Sequence, residues 1–240
     1  MHVLVRLAGP NGEIRILEDP STGARLYEEG GVTQSRVLPG GEAAVAYVGL
    51  MAALLAGAAE VLLLGCGGGS LASMLYRRGC RVTIVEVNPI SFQLARTFFW
   101  MPTGVECIAA DVREFVCPDA RAFDAIGIDV GGPRLLYADV LAPRTIARLR
   151  SALSAGGRIA VNLALKAPDD PAPGPIADRL AAAGLQIWAF TQNDRASQRE
   201  LNTVVLASAR REQPRGLAKL GGGDWAPARL NALQGSGARR

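Results

Sequence analysis

The chain has a single histidine, His2, and its four cysteines form no CxxC pair and have no histidine nearby. A zinc site draws several such ligands from short spacings, so no metal is expected. Cys66 falls in a glycine-rich turn where only a small side chain fits, and Cys80, Cys107 and Cys117 read as small structural residues. Aromatic residues make up only 5% of the chain and no Lys/Arg run is interleaved with them. The net charge is +4, and much of the basic excess falls at Arg210, Arg211, Arg215, Lys219, Arg229, Arg239 and Arg240. That pattern argues against nucleic acid as a partner. Long hydrophobic runs are also missing. The nearest, residues 43–58, contains Tyr47, Gly49 and Gly57, and reads as a buried helix rather than a membrane span. The first residues show no basic segment followed by an apolar stretch and a cleavage site, so a soluble cytoplasmic protein is expected.

What the chain does have is core material: 49% of its 240 residues are hydrophobic and 20% charged. Up to residue 38 the pattern alternates as strands do, at 13–17, 24–28 and 32–37, with turns at Asp19-Pro20-Ser21-Thr22-Gly23 and Gly30-Gly31. From Gly41 the rhythm changes to apolar strands alternating with helices. A helix is expected over 42–55, a strand over 61–64, a helix to Tyr76, a strand over 81–86 and a helix over 89–98. Then follow a strand over 105–109, a helical turn from Asp111, a strand over 123–129 and a helix over 144–153. Gly156-Gly157 reads as a helix stop before a strand over 157–162, and a helix over 175–183 precedes two closing strands, 185–191 and 203–208. This describes a mostly parallel sheet of seven strands with helices on both faces and a strand hairpin at one edge, a Rossmann-like α/β fold behind a small antiparallel cap. The expected organisation is a cap over 1–40, a main domain over 41–209, and a flexible basic tail over 210–240 in which Trp225 stands alone, the lesser alternative being that Trp225 docks back onto the domain.

Three strand ends carry the candidate chemistry. The first strand opens into Gly65-Cys66-Gly67-Gly68-Gly69-Ser70, where glycines let the backbone turn sharply and let a ligand reach the amides at a helix N-terminus. Glu86 ends the second strand, where a carboxylate can accept hydrogen bonds from both hydroxyls of a ribose. Asp111 follows the third strand, placed to hold an adenine amino group while the backbone amide of Val112 meets a ring nitrogen. Ligands in such sheets collect at the carboxyl ends of the strands. Nicotinamide enzymes share the first two features, but Ser70 displaces the third glycine of their pattern. The full order, glycine turn, Val85-Glu86-Val87-Asn88-Pro89, Ala110-Asp111 and a terminal hairpin, resembles the class I S-adenosylmethionine-dependent methyltransferase fold.

More narrowly, residues 30–208 resemble the spermidine synthase (polyamine aminopropyltransferase) family. Gly31-Val32-Thr33-Gln34 is similar to the family's Gly-Val-x-Gln cap segment, Tyr47 matches its tyrosine, and Asn202-Thr203-Val204-Val205-Leu206-Ala207 resembles its last strand. Residues 123–129 look like the family's fourth strand, which ends in an Asp-Ser-Ser-Asp-Pro type motif. The resemblance implies Gln34 at the co-substrate, Tyr47 at the acceptor and Asp129 as the acid that assists attack by an amine. A carboxylate at that strand end can orient the amine, take its proton and stabilise positive charge. The plainer alternative is that Asp129 caps the turn before Gly131-Gly132-Pro133. The resemblance also implies S-adenosylmethionine or its decarboxylated form as co-substrate, a small amine acceptor, and a homodimer built through the cap strands. Four positions depart from the family: Gly68 stands in place of an acid of the glycine turn, Gly132 in place of the second acid of the Asp-Ser-Ser-Asp motif, and Val48-Gly49 in place of a His-Glu pair. A multiply charged cation needs several acids to replace its hydration, so the sequence points away from ordinary spermidine synthesis. Without an acid at Gly68, room is expected for the carboxylate of intact S-adenosylmethionine, which suits methyl transfer. A nucleoside-binding protein without turnover is the third reading.

Overall fold

The computed structural model describes residues 1–115, 117, 121–131, 137–165, 170–192, 201–210, 219–220 and 223–228. Four antiparallel strands come first: β1 (His2–Gly9), β2 (Gly12–Glu18), β3 (Arg25–Glu29) and β4 (Val32–Val37), paired in that order. The chain continues as α1 (Ala46–Leu54), β5 (Glu60–Leu64), α2 (Ser70–Arg77), β6 (Arg81–Glu86), α3 (Pro89–Phe98) and β7 (Glu106–Ala109). Then come β8 (Phe123–Ile128), α4 (Tyr137–Val140), α5 (Pro143–Ser151), β9 (Leu153–Leu165), α6 (Pro173–Ala182), β10 (Gln186–Gln192) and β11 (Leu201–Ser208). Two further strands, β12 (Lys219–Leu220) and β13 (Gly223–Ala228), close the described chain.

Strands β5 to β13 form one sheet in the order β12-β13-β10-β11-β9-β8-β5-β6-β7. Its seven-stranded body is parallel from β7 to β9, and β11 runs antiparallel between β9 and β10. Strand alternation divides the core in two. Val61, Leu63, Ala160, Val204 and Leu206 pack on one face with α1, α2 and α3, while Leu62, Leu64, Ile159, Val161, Val205 and Ala207 pack on the other with α4, α5 and α6. A strand buried on both faces must be apolar at every position, and Val61 to Leu64 is. A third cluster joins the cap to α3 through Ile14, Ile16, Tyr27, Val37, Leu94 and Phe99. Arg25 fastens the same contact, donating to the Phe98 carbonyl at 2.7 Å and lying 4.5 Å over the Trp100 ring.

The differences from the sequence expectations have local causes. β1 lies at the edge of the cap and is largely exposed, so its sequence carries little alternation. α1 starts at Ala46 rather than at residue 42, because the turn at Gly40-Gly41 sends the chain back along β4: Glu42 O accepts from Leu38 N, and Ala44 N donates to Arg36 O. β9 reaches back to Leu153 through Gly156-Gly157, where its register against β8 slips; the two glycines mark a bulge, not a stop. The turn at Asp111 is a single turn and does not grow into a helix.

The largest correction is at the C-terminus. The tail expected over 210–240 contributes β13, which pairs antiparallel with β10, and Trp225 is 2% exposed within the cluster that includes α1 and Phe190. A lone tryptophan among glycines carries no periodicity, so only the tertiary partner reveals the strand. Residues 211–218 and 229–240, with Arg211, Arg215, Arg229, Arg239 and Arg240, lie outside the described residues. Truncating a buried aromatic removes its transfer free energy and leaves a cavity. Trp225→Ala is therefore expected to lower the unfolding free energy by about 3 kcal/mol in urea titration; an unchanged midpoint would mean that the strand contributes nothing.

Candidate active site

The connections reverse direction between β5 and β8, and the crevice at the carboxyl ends of these strands is where the sequence-predicted residues meet. Gly65 follows β5 with φ +100°, and a Cβ there would lie 2.1 Å from the carbonyl oxygen of Asp129. The Gly65 amide donates to Val85 O at 2.9 Å and the Asp129 amide donates to Leu64 O at 2.9 Å, so the turn is sewn to both neighbouring strands. Only glycine allows that approach. Gly67 continues the turn and Gly69 caps α2.

Glu86 ends β6 and is held by two backbone amides, Cys66 N at 3.1 Å and Asn88 N at 2.9 Å. Asn88 in turn accepts from Ile90 N at 3.2 Å, capping α3, whose first residue is Pro89. The carboxylate is thus fixed at the mouth of the crevice with acceptor capacity left over, since two oxygens offer about four lone-pair sites. Cys66 is no nucleophile: burial and the Glu86 carboxylate push its thiol well up.

The cap strand β4 lies over the glycine turn. Ser35 Oγ accepts from Gly68 N at 2.8 Å, and a Cβ on Gly68 would meet Val37 Cγ2 at 2.8 Å, Ser35 Cβ at 3.2 Å and Phe99 Cδ1 at 3.4 Å. The room expected beside Gly68 is therefore already filled, largely by apolar groups, and an acid could not stand there without displacing them. Gln34, next along β4, reaches across toward β8, its Oε1 3.8 Å from where a Cβ on Gly131 would sit.

Asp129 sits just beyond β8, and two side chains donate to it. Tyr47, on α1, donates its hydroxyl to Oδ2 at 3.3 Å, and Asn162, on β9, donates Nδ2 to Oδ1 at 2.9 Å. Burial pushes the Asp129 carboxyl up from its ordinary value, against the pull of these two hydrogen bonds. Tyr137, on α4, accepts from Ala164 N at 3.0 Å, and its phenol is raised by burial and then by the nearby Asp129 and Asp170 carboxylates. The sequence reading did not single out Ser35, Asn162 or Tyr137. Asn162 had a signal, a polar side chain in an otherwise apolar run; Ser35 and Tyr137 had none. Gly132, the other departure of this motif, lies outside the described residues.

Asp111 follows β7, where Ala110 N donates to Glu86 O at 3.1 Å and so ties this strand end to the previous one. Its carboxylate is engaged by its own turn: Arg113 N donates to Oδ1 at 2.8 Å and Arg113 Nε lies 3.0 Å from both oxygens. The Arg113 side-chain bonds hold the Asp111 carboxyl below the ordinary aspartate value. Val112 is half-buried against the second core cluster. Among the described residues no group of His, Cys, Asp and Glu assembles that could hold a metal, and no helix is long and apolar enough to cross a membrane.

The geometry has known counterparts. A family model described as a methyltransferase domain matches residues 61–157, from β5 into β9. No curated protein sequence matches the chain. Among solved structures, a probable spermidine synthase from Corynebacterium glutamicum superposes with a TM-score of 0.78 at 17% identity, covering 100% of this chain and 96% of its own. Spermidine synthase from Thermotoga maritima gives 0.67 at 18% identity over 88% of this chain and 74% of its own. A spermidine synthase bound to the transition state analogue AdoDATO gives 0.67 at 18%, covering 88% and 75%. The chain has the fold of the class I S-adenosylmethionine-dependent methyltransferases, and its likeness to the first of these structures extends over the whole chain, the cap included.

Proposed function

We propose that this protein is a transferase that binds S-adenosylmethionine or its decarboxylated form and moves an alkyl group, of the aminopropyl type, to a small amine. The observation that carries the reading is the half-buried Asp129, held by Tyr47 and Asn162, at the strand end that abuts the glycine turn. Such a carboxylate suits an acceptor that must lose a proton as it attacks. The residues fit the co-substrate: Gly65 turns the backbone where the ligand passes, Glu86 presents a fixed carboxylate for the ribose hydroxyls, and Gln34 lies across from them on the cap. Asp111 and the amide of Val112 are proposed to meet the adenine, which requires Arg113 to give up part of its hold on Asp111. When bound, the co-substrate supplies an electrophilic carbon on a sulfonium; the chain orients the acceptor and takes its proton.

One observation favours methyl transfer as a second reading. Gly68 faces Val37 and Phe99, so the site offers no acid there for the free amino end of decarboxylated S-adenosylmethionine. The same lack argues against ordinary spermidine synthesis under either reading. A cytoplasmic location and a homodimer through the cap, whose β1 leaves one sheet edge open, complete the proposal.

Calorimetry with S-adenosylmethionine, its decarboxylated form, methylthioadenosine and NAD is expected to rank the adenosyl-sulfur compounds above NAD; NAD binding tightest would end the proposal. Glu86→Ala removes the ribose contact and frees two amides, and a loss of at least roughly tenfold in affinity is expected. Released methylthioadenosine would identify transfer of the long chain, and S-adenosylhomocysteine would identify methyl transfer.

Asp129 works as a base only when ionised, and its carboxyl is raised. Activity is therefore expected to fall as pH drops through that raised value, so the acidic limb of the rate profile lies alkaline of an ordinary aspartate, near 4. Asp129→Asn should erase that limb and lower turnover by roughly 10² to 10⁴ with co-substrate affinity kept. Turnover unchanged in this variant would leave Asp129 as a turn cap.

A further inference from the structure

We propose that Asn162 selects the acceptor: its side-chain carbonyl takes one N–H of a primary amine whose other N–H is held by Asp129. The inference rests on the transferase reading above and names the acceptor class for that site. Asn162 is 6% exposed near the carboxyl end of β9, and its Oδ1 is buried with no hydrogen-bond partner among the described residues. The amide cannot turn over to relieve this, because Nδ2 is committed to Asp129 Oδ1 at 2.9 Å and the flipped form would set a carbonyl against a carboxylate. An unsatisfied buried carbonyl costs about 1–3 kcal/mol, which an apolar residue in this apolar strand would avoid. The amide's donor serves Asp129, and its carbonyl is left for a use that folding does not supply. This carbonyl belongs to the same amide group that holds Asp129 Oδ1 at 2.9 Å, so the two acceptors offered to the amine come from adjoining side chains.

The surroundings set the charge of that acceptor. The ionisable groups that the described residues bring to Asp129 are the phenols of Tyr47 on α1 and Tyr137 on α4, with Asp170 acting on Tyr137 from beyond. Gln34 adds a neutral amide from the cap. One carboxylate among neutral partners matches a single ammonium group, and a second charge would go unpaired. In the step itself, the amine lone pair attacks the carbon bonded to sulfur. The C–N bond forms, the C–S bond breaks with its electron pair going to sulfur as the thioether, and the extra proton on nitrogen passes to Asp129. A neutral secondary amine has one N–H and an alcohol one O–H, so either leaves Asn162 Oδ1 unsatisfied.

The test uses the full chain with S-adenosylmethionine and with its decarboxylated form, offering n-butylamine, N-methylbutylamine and 1,4-diaminobutane, and measures the released nucleoside by chromatography. Wild type is expected to favour n-butylamine over N-methylbutylamine by roughly tenfold to a hundredfold in kcat/KM. Asn162→Leu should lose most of that preference by slowing the primary amine, with co-substrate affinity by calorimetry kept within about twofold. Equal use of both amines by wild type, or an unchanged ratio in Asn162→Leu, overturns the inference and leaves the transferase reading standing. 1,4-Diaminobutane is expected to be used no better than n-butylamine. If Asn162→Leu does not fold, Asn162→Ala decides by the same ratio of n-butylamine to N-methylbutylamine, and an unmoved ratio overturns the inference. No product with any acceptor, together with no binding of either co-substrate, overturns the transferase reading and this inference with it.

Discussion

The site depends on how closely β5 and β8 approach where their chains leave the sheet. At Gly65 the backbone passes so near the Asp129 carbonyl that a Cβ would sit 2.1 Å from it, and the two strand ends are tied by the Asp129 amide on Leu64 O. That contact brings the glycine turn and the Asp129 carboxylate to a common edge. Glu86 extends it by accepting from Cys66 in the turn, and Ala110 carries it to β7 by donating to Glu86 O. Four strand ends are thereby fixed relative to one another by backbone hydrogen bonds together with the Glu86 carboxylate. Side chains placed on such a frame keep their positions without a separate cost in loop ordering.

The cap closes this frame from above and changes its chemistry. Packing of Ile14, Ile16, Val37 and Phe99 between the cap and α3 sets β4 over the turn, so Ser35 meets Gly68 and Gln34 faces β8. The apolar side chains that anchor the cap are the same ones that fill the place of the missing acid at Gly68. The absence of an acid at Gly68 and the tight closure of the cap are one structural fact.

Electrostatics at Asp129 are set by burial and by partners on α1 and β9. Burial raises the carboxyl, while Tyr47 and Asn162 donate to it and hold its orientation. A carboxylate deprived of water but given two donors is both oriented and basic, which suits a proton acceptor better than either condition alone. Asp111 is the contrast: its turn pairs it with Arg113, which keeps its carboxyl low.

The sequence by itself determined the doubly covered sheet, because strands buried on both faces must be continuously apolar and the helices between them must be amphipathic. It marked β6 and α3 to the residue, since Glu86 and Asn88-Pro89 punctuate them; it named Gly65, Glu86 and Asp111 because each stands at a strand end, and Asp129 through the resemblance of its strand. Only the tertiary structure decided what depends on partners far along the chain. β1 and β13 exist through the strands beside them, Trp225 is buried through α1 and Phe190, and Ser35 and Tyr137 enter the site with no local pattern to announce them. Arg113 claims Asp111 through a turn whose side-chain geometry no spacing encodes, and Gly68 is closed by residues from two distant segments. Periodicity reports burial of an element's own face; which groups meet across the crevice is set by packing, where a few ångströms decide the partner.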